Sequence, residues 1–258
     1  MNAALVIAGF FVGCIVGLTG VGGAAIMTPL LVLAFKVDPL IAVGSDLVYS
    51  VPTRLYGAYL HSRQGTVNWK ITGALLMGGI PAAIVGLVLL YWLRGHIDIT
   101  LLNMWTRRAI GIALLMAAAI MLLRPFSRKS AAQRNDASSW NRLRRVYVTS
   151  IGAVVGLTVT VTSIGSGSVT LPLLVIILPF VALPDLIGSD IAFGAFLIPA
   201  AAFGRWTMGD VNLPLALNLM AGSLPGVYIG SKICRMMKVN WLRPVVAVTL
   251  AVIGTRMV

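Results

Sequence analysis

Two stretches of this chain, Ile71–Leu93 and Ala109–Leu123, run without a single charged residue. Runs of that kind are about the length needed to cross a bilayer. The rest of the chain agrees, with 59% hydrophobic residues, 10% charged residues and a mean hydropathy of +0.95. Soluble domains carry roughly 25% charged residues. The chain therefore reads as an all-α polytopic membrane protein. Its net charge of +13 belongs to loops rather than to a nucleic-acid groove, because membrane proteins gather Lys and Arg on their cytoplasmic side.

Several chemistries are excluded by residue type. All seven acidic residues are Asp, which removes HExxH zinc sites and Glu-based di-metal sites. Cys14 and Cys234 form no CxxC, so neither a disulfide framework nor a metal centre is implied. No metal and no cofactor is expected. The N-terminus has no charged n-region or evident cleavage site, so the first segment is expected to stay in the mature chain.

A glycine-rich break interrupts the first apolar stretch at Gly20-Val21-Gly22-Gly23, before Pro29. Glycine holds a helix poorly and lets other backbone approach closely. The chain repeats this at Ser163–Ser168, before Pro172. Gly44-Ser45-Asp46 returns as Gly188-Ser189-Asp190, and Gly65-Thr66-Val67-Asn68 as Gly209-Asp210-Val211-Asn212, both at an offset of 144. Gly78, Pro81 and Gly86 match Gly222, Pro225 and Gly230. The chain is an internal duplication: 1–123 is one membrane repeat, 124–145 a basic linker and 146–258 the second repeat.

Each repeat reads as a glycine-broken hairpin followed by three crossings. Helices are expected at 3–19, 24–35, 40–61, 69–93 and 105–123, then at 146–162, 169–181, 185–205, 212–235 and 241–257, with a polar connection at 94–104. Residues 3–35 are too long for one crossing and fold back, the short second arm favouring a re-entrant form over two crossings. An odd number of crossings per repeat makes the copies inverted, and segments broken at matching places mark a transporter's binding site. With the linker cytoplasmic, 62–70 and 232–243 are also inside, giving 13 Lys and Arg inside against 6 outside, as the positive-inside rule requires.

Together the break in GLTGVGGAAIMTPLL, the Gly-Ser helix start, the Gly-x-Val-Asn turn and the duplicated half resemble the TauE/SafE sulfite exporter family, over essentially the whole chain. The resemblance implies a secondary transporter, with export favoured, that carries sulfite or a small organosulfonate across the bacterial inner membrane. Asp46 and Asp190 depart from the neutral residue expected at that place.

The two breaks are expected to face one cavity, with the helices that follow aiming their N-termini at an anion. Thr19, Gly20, Gly22, Gly23, Ser163, Gly165, Ser166, Gly167 and Ser168 are the candidate substrate-binding residues. The alternative is that small residues only permit close helix packing. Arg54 lies well inside a predicted helix, and its guanidinium fork suits a sulfonate or sulfite. It could equally pair internally with Asp46 or, more easily, Asp190. Those two carboxylates are candidates for a coupling proton, or satisfy backbone N–H groups at the other half's hairpin. Asn68 and Asn212 look like N-caps, while His61 and His96 fall at membrane edges. A passive anion channel is a second reading. An intramembrane serine hydrolase built on Ser166 is a third, opposed by the distance of both histidines from the midplane. The chain is not expected to be an enzyme.

Overall fold

The computed structural model describes residues 3–19, 23–123, 141–236 and 242–258, which form ten helices and no strand. These are α1 (Ala3–Thr19), α2 (Ala24–Leu33), α3 (Pro39–Arg63), α4 (Trp69–His96), α5 (Ile99–Leu123), α6 (Arg142–Thr162), α7 (Thr170–Ile177), α8 (Leu183–Thr207), α9 (Leu213–Met236) and α10 (Leu242–Met257). Five of them, α4, α5, α6, α8 and α9, contain spans long and apolar enough to cross a membrane. At 25 residues α3 equals α8 in length, but it is more polar because it carries Asp46, Ser50, Arg54 and His61.

The hairpin second arms are short. α2 has 10 residues and α7 has 8, or about 15 and 12 Å at 1.5 Å per residue, so neither helix crosses. The expected 169–181 helix ends early, at Ile177. Its next residue, Leu178, has φ −120° and ψ 57° because Pro179 follows, and the residue before a proline is pushed out of helical geometry.

Two further boundaries differ from expectation. The polar connection at 94–104 shrinks to Ile97 and Asp98, since α4 continues to His96 and α5 begins at Ile99. Asp98 opens α5 by accepting the Leu102 N–H through its carbonyl at 3.0 Å, and Asp is favoured before a helix. Arg107 and Arg108, expected near a loop, therefore sit two turns inside α5 with exposed side chains. α6 begins at Arg142, so Arg142, Arg144 and Arg145 form its first turn.

The strongest packing joins the two halves of the chain. α1 lies along α9, and α6, which occupies the place of α1 in the second copy, lies along α4. α3 packs on α8 and α5 on α10. The matched glycines make the first two contacts close. A side chain at Gly222 would strike the Val6 carbonyl, and one at Gly78 the Thr149 carbonyl. Small residues at such crossings let backbones approach within van der Waals contact, which is how helices associate without a hydrophobic drive in lipid.

α3 and α8 run antiparallel: Gly44 meets Asp210, Arg54 meets Gly194, and Gly188 meets Thr66. α4 and α6 run parallel, with Leu75 against Gly152 and Gly86 against Thr160. The start of α6, the α3–α4 turn and the end of α9 therefore share one face, and the ends of α4 and α8 share the opposite one.

Candidate functional site

The site is assembled from α3, α8 and the segment between α6 and α7. On α3, Asp46, Ser50 and Arg54 recur every four residues and so share one helix face. Asp46 and Ser50 are buried and Arg54 is half-buried. On α8, Asp190 and Gly194 have the same spacing, and the missing side chain at Gly194 makes room for Ser166 and Arg54. A Cβ there would lie 2.8 Å from Ser166 Oγ and 3.4 Å from Arg54 Cδ.

The second break takes the shape that its glycines allow. Ser163 is left-handed at φ 63°, and Gly165 and Gly167 have φ 152° and 90°, values that favour glycine. Ser163, Gly165, Ser166, Gly167 and Ser168 are all buried. In the first break Gly23 precedes α2 and is half-buried. Gly20, Gly22 and the side chain of Thr19 lie outside the described residues.

Polar contacts tie α3 and α8 to this segment. Arg54 donates from Nη2 to the Ser166 carbonyl at 2.9 Å, and lies within electrostatic reach of Asp46 and Asp190 without forming an ion pair with either. Asp46 Oδ2 accepts from Ser163 Oγ at 2.6 Å and Thr28 Oγ1 at 3.0 Å. It therefore joins α2 of its own half to the break of the other. Asp190 faces the Gly167 N–H and the hydroxyls of Ser166 and Thr170, in its own half rather than the other. One oxygen of each Asp is buried without a hydrogen-bond partner, and the buried Ser166 Oγ has the Asp190 carboxylate as its neighbour.

The N–H groups at the start of α7 are less available than expected. Those of Val169 and Thr170 donate to the Gly165 carbonyl at 2.9 and 3.1 Å. Among the described residues, the rest of the Arg54 guanidinium and the Ser166 hydroxyl that faces Asp190 are donors within reach of an anion. An apolar cavity of about 350 Å³ opens elsewhere between α3 and α8, lined by Val48, Pro52, Pro199 and Trp206 among others.

The repeated motifs are each other's docking partners. Ser45 Oγ accepts the Asn212 N–H at 2.9 Å, and Ser189 Oγ accepts the Asn68 N–H at 3.0 Å. Both asparagines cap helices: Asn68 Oδ1 accepts from Lys70 N–H at 3.1 Å and Asn212 Oδ1 from Leu215 N–H at 3.0 Å. His61 is not simply solvated, since its Nδ1 lies 2.8 Å from Thr66 Oγ1. His96 is exposed and stacks on Trp92 at 4.5 Å.

A second charged cluster escapes the sequence reading. Arg205 is fully buried. It donates to Asp210 Oδ2 at 2.9 Å, to the Thr160 carbonyl at 3.0 and 3.1 Å and to the Val161 carbonyl at 3.0 Å. Arg94 pairs with Asp210 Oδ1 at 3.0 Å and also donates to the Met208 carbonyl. One signal is readable: at the repeat offset of 144, Arg205 and Asp210 stand where the first half has His61 and Thr66. Both partners of one contact change together.

Comparison with known proteins places the chain among membrane transporters. The family profile described as sulfite exporter TauE/SafE matches residues 5–257. A probable membrane transporter protein of Bacillus subtilis, YjnA, is 35% identical over the full length of both chains. A second from that organism, YdhB, is 30% identical over 95% of each chain. The probable membrane transporter protein MJ0441 of Methanocaldococcus jannaschii is 23% identical over 97% of this chain and 92% of its own. No solved structure matches.

Proposed function

The chain belongs to the sulfite exporter TauE/SafE family of membrane transporters, and we propose that it is a secondary transporter of sulfite or a small organosulfonate. The anion sits between Arg54 and the second glycine break. The observation that carries this reading is a guanidinium with one donor spent on the Ser166 carbonyl, set beside the buried Ser166 hydroxyl that faces Asp190. A guanidinium offers two parallel donors to a sulfonate or sulfite, an arrangement that an ammonium lacks.

Asp46 and Asp190 flank that place. An anion brought beside two buried carboxylates is repelled unless one of them is neutral. The proposed coupling is therefore a proton carried with, or exchanged against, the anion. The two halves are inverted copies, a reading supported by the antiparallel α3–α8 pair and by the exchanged partners of α1 and α6. The linker is cytoplasmic in the bacterial inner membrane. This assignment gains support from Arg94 and Arg205: both are tied to Asp210 and so are not free loop charges on the outer face. The protein acts as a carrier rather than an enzyme.

Flux in proteoliposomes tests the proposal, with sulfite, thiosulfate, taurine, sulfoacetate, sulfate and chloride compared with and without a pH gradient. Saturable flux of one sulfur anion that responds to the gradient is the expected result. Non-saturating passage of all of them establishes a channel instead, and no passage of any overturns the cargo assignment.

A further inference from the structure

The charged cluster at the ends of α4 and α8 plays no part in holding the anion, yet it joins the halves and touches the hairpin. Arg205 binds the last carbonyls of α6, two and three residues before Ser163. Helix C-termini favour cations, since their final carbonyls lack intrahelical partners. Arg205 is itself held by Asp210 in the α8–α9 turn. These two residues belong to the same half and are almost wholly buried.

Arg94 differs from them in both respects. It comes from the first half, and its side chain is 30% exposed while that of Asp210 is 3% exposed. If Arg94 withdraws, it reaches water at once and leaves behind a compensated Arg205–Asp210 pair. Arg205 is wholly buried and could withdraw only by giving up its bonds to Asp210 and to the Thr160 and Val161 carbonyls, a far costlier event. On the opposite face the matching contact, His61 with Thr66, is a hydrogen bond between side chains with no opposed charges.

We infer that Arg94, Asp210 and Arg205 form a latch on the face opposite the start of α6. In it Arg205 and Asp210 are positioning residues for the second hairpin, and Arg94 lets go when that face opens. The inference rests on the transporter reading of the fold but not on the identity of the cargo.

The test uses full-length protein in sealed proteoliposomes, with Cys14 and Cys234 replaced by Ser and one reporter thiol, Ser50→Cys, on the α3 face between Asp46 and Arg54. A charged, membrane-impermeant thiol reagent is applied from the face carrying Arg94. Arg94→Gln is expected to speed labelling about fivefold, as loss of one partly exposed charge pair shifts a two-state equilibrium. Arg94→Lys is expected to restore the parent rate, since an ammonium still reaches Asp210.

A second arm keeps Arg94 in the reporter protein and compares low with high salt, where screening of the partly exposed Arg94–Asp210 pair is expected to speed labelling. Unchanged labelling in Arg94→Gln, or labelling of the Arg94 protein that salt does not speed, overturns the inference. If Arg94→Gln fails to insert, the Lys variant and the salt comparison decide the matter. A protein that passes these tests yet moves no sulfur anion keeps the latch and loses the cargo assignment, so the two failures are told apart.

Discussion

Ser163 donates to Asp46 at 2.6 Å across 117 positions of sequence, and the two ends of that bond belong to different copies of the duplicated unit. A carboxylate so placed makes its protonation state a matter for both halves. Ionised, it accepts from Ser163 and Thr28 together; protonated, it has a proton of its own to donate and less capacity to accept.

Asp46→Asn is therefore expected to insert normally and to lose the response of flux to a pH gradient, leaving only exchange down the anion's own gradient. Asp190→Asn serves as the comparison. If the pH response survives both substitutions, neither residue carries the coupling proton. The check is initial-rate flux at fixed anion concentration across a series of imposed gradients.

Arg54 should show a graded loss. Arg54→Lys keeps the charge but not the fork, and Arg54→Ala removes both. Hydrogen bonds to charged groups contribute about 1.5–3 kcal/mol each, so the Ala variant is expected to raise KM by about tenfold or more. The Lys variant should fall between it and the parent. Parent-like KM in a correctly inserted Ala variant removes Arg54 from the site.

Two glycines separate site from scaffold. Gly194→Ala places a methyl 2.8 Å from Ser166 Oγ, a side chain that can turn aside, so the expected effect is on KM with little loss of stability. Gly78→Ala drives its methyl into the Thr149 carbonyl on α6, which cannot yield without parting the helices. Thermal unfolding in detergent should fall clearly for Gly78→Ala and little for Gly194→Ala.

Arg205→Leu is expected to destabilise the protein by about 3 kcal/mol, the cost typical of breaking one side of a buried ion pair. Adding Asp210→Asn should recover part of that loss, because it removes a buried carboxylate left with only the partly exposed Arg94 as its counter-charge. The comparison is the unfolding midpoint of the single and double variants. If the double variant is no better than the single, the carbonyls of Thr160 and Val161, rather than Asp210, are the partners that matter.

Much of the fold is legible because it is written twice. The second glycine break, the Gly-Ser-Asp stretches and the Gly-x-Val-Asn turns lie where duplication predicts them, and the capping roles of Asn68 and Asn212 follow from residue type alone. What periodicity does not reveal is which copies touch. Nothing in the apolar pattern says that Ser45 accepts the Asn212 N–H, since docking depends on the exchange of helices between halves. The burial of Arg205 is hidden for a related reason. It lies two positions before the end of α8, where a charge normally reaches water, and only tertiary packing of α6 against that end buries it. Residue type also overstates the free N–H groups at the α7 tip, because the Gly165 carbonyl folds back onto two of them.

The exchange of helix partners also bears on how the chain is made. α1 leaves the ribosome before the other described helices, and α9, against which Gly9 and Gly13 pack, is followed by α10 alone among them. Until α9 arrives, α1 waits in the membrane with its close-packing face against lipid. α4 waits in the same way for α6. The first half is thus an unfinished object until the second is made, and the duplication that supplied a second copy also made each copy the other's folding template.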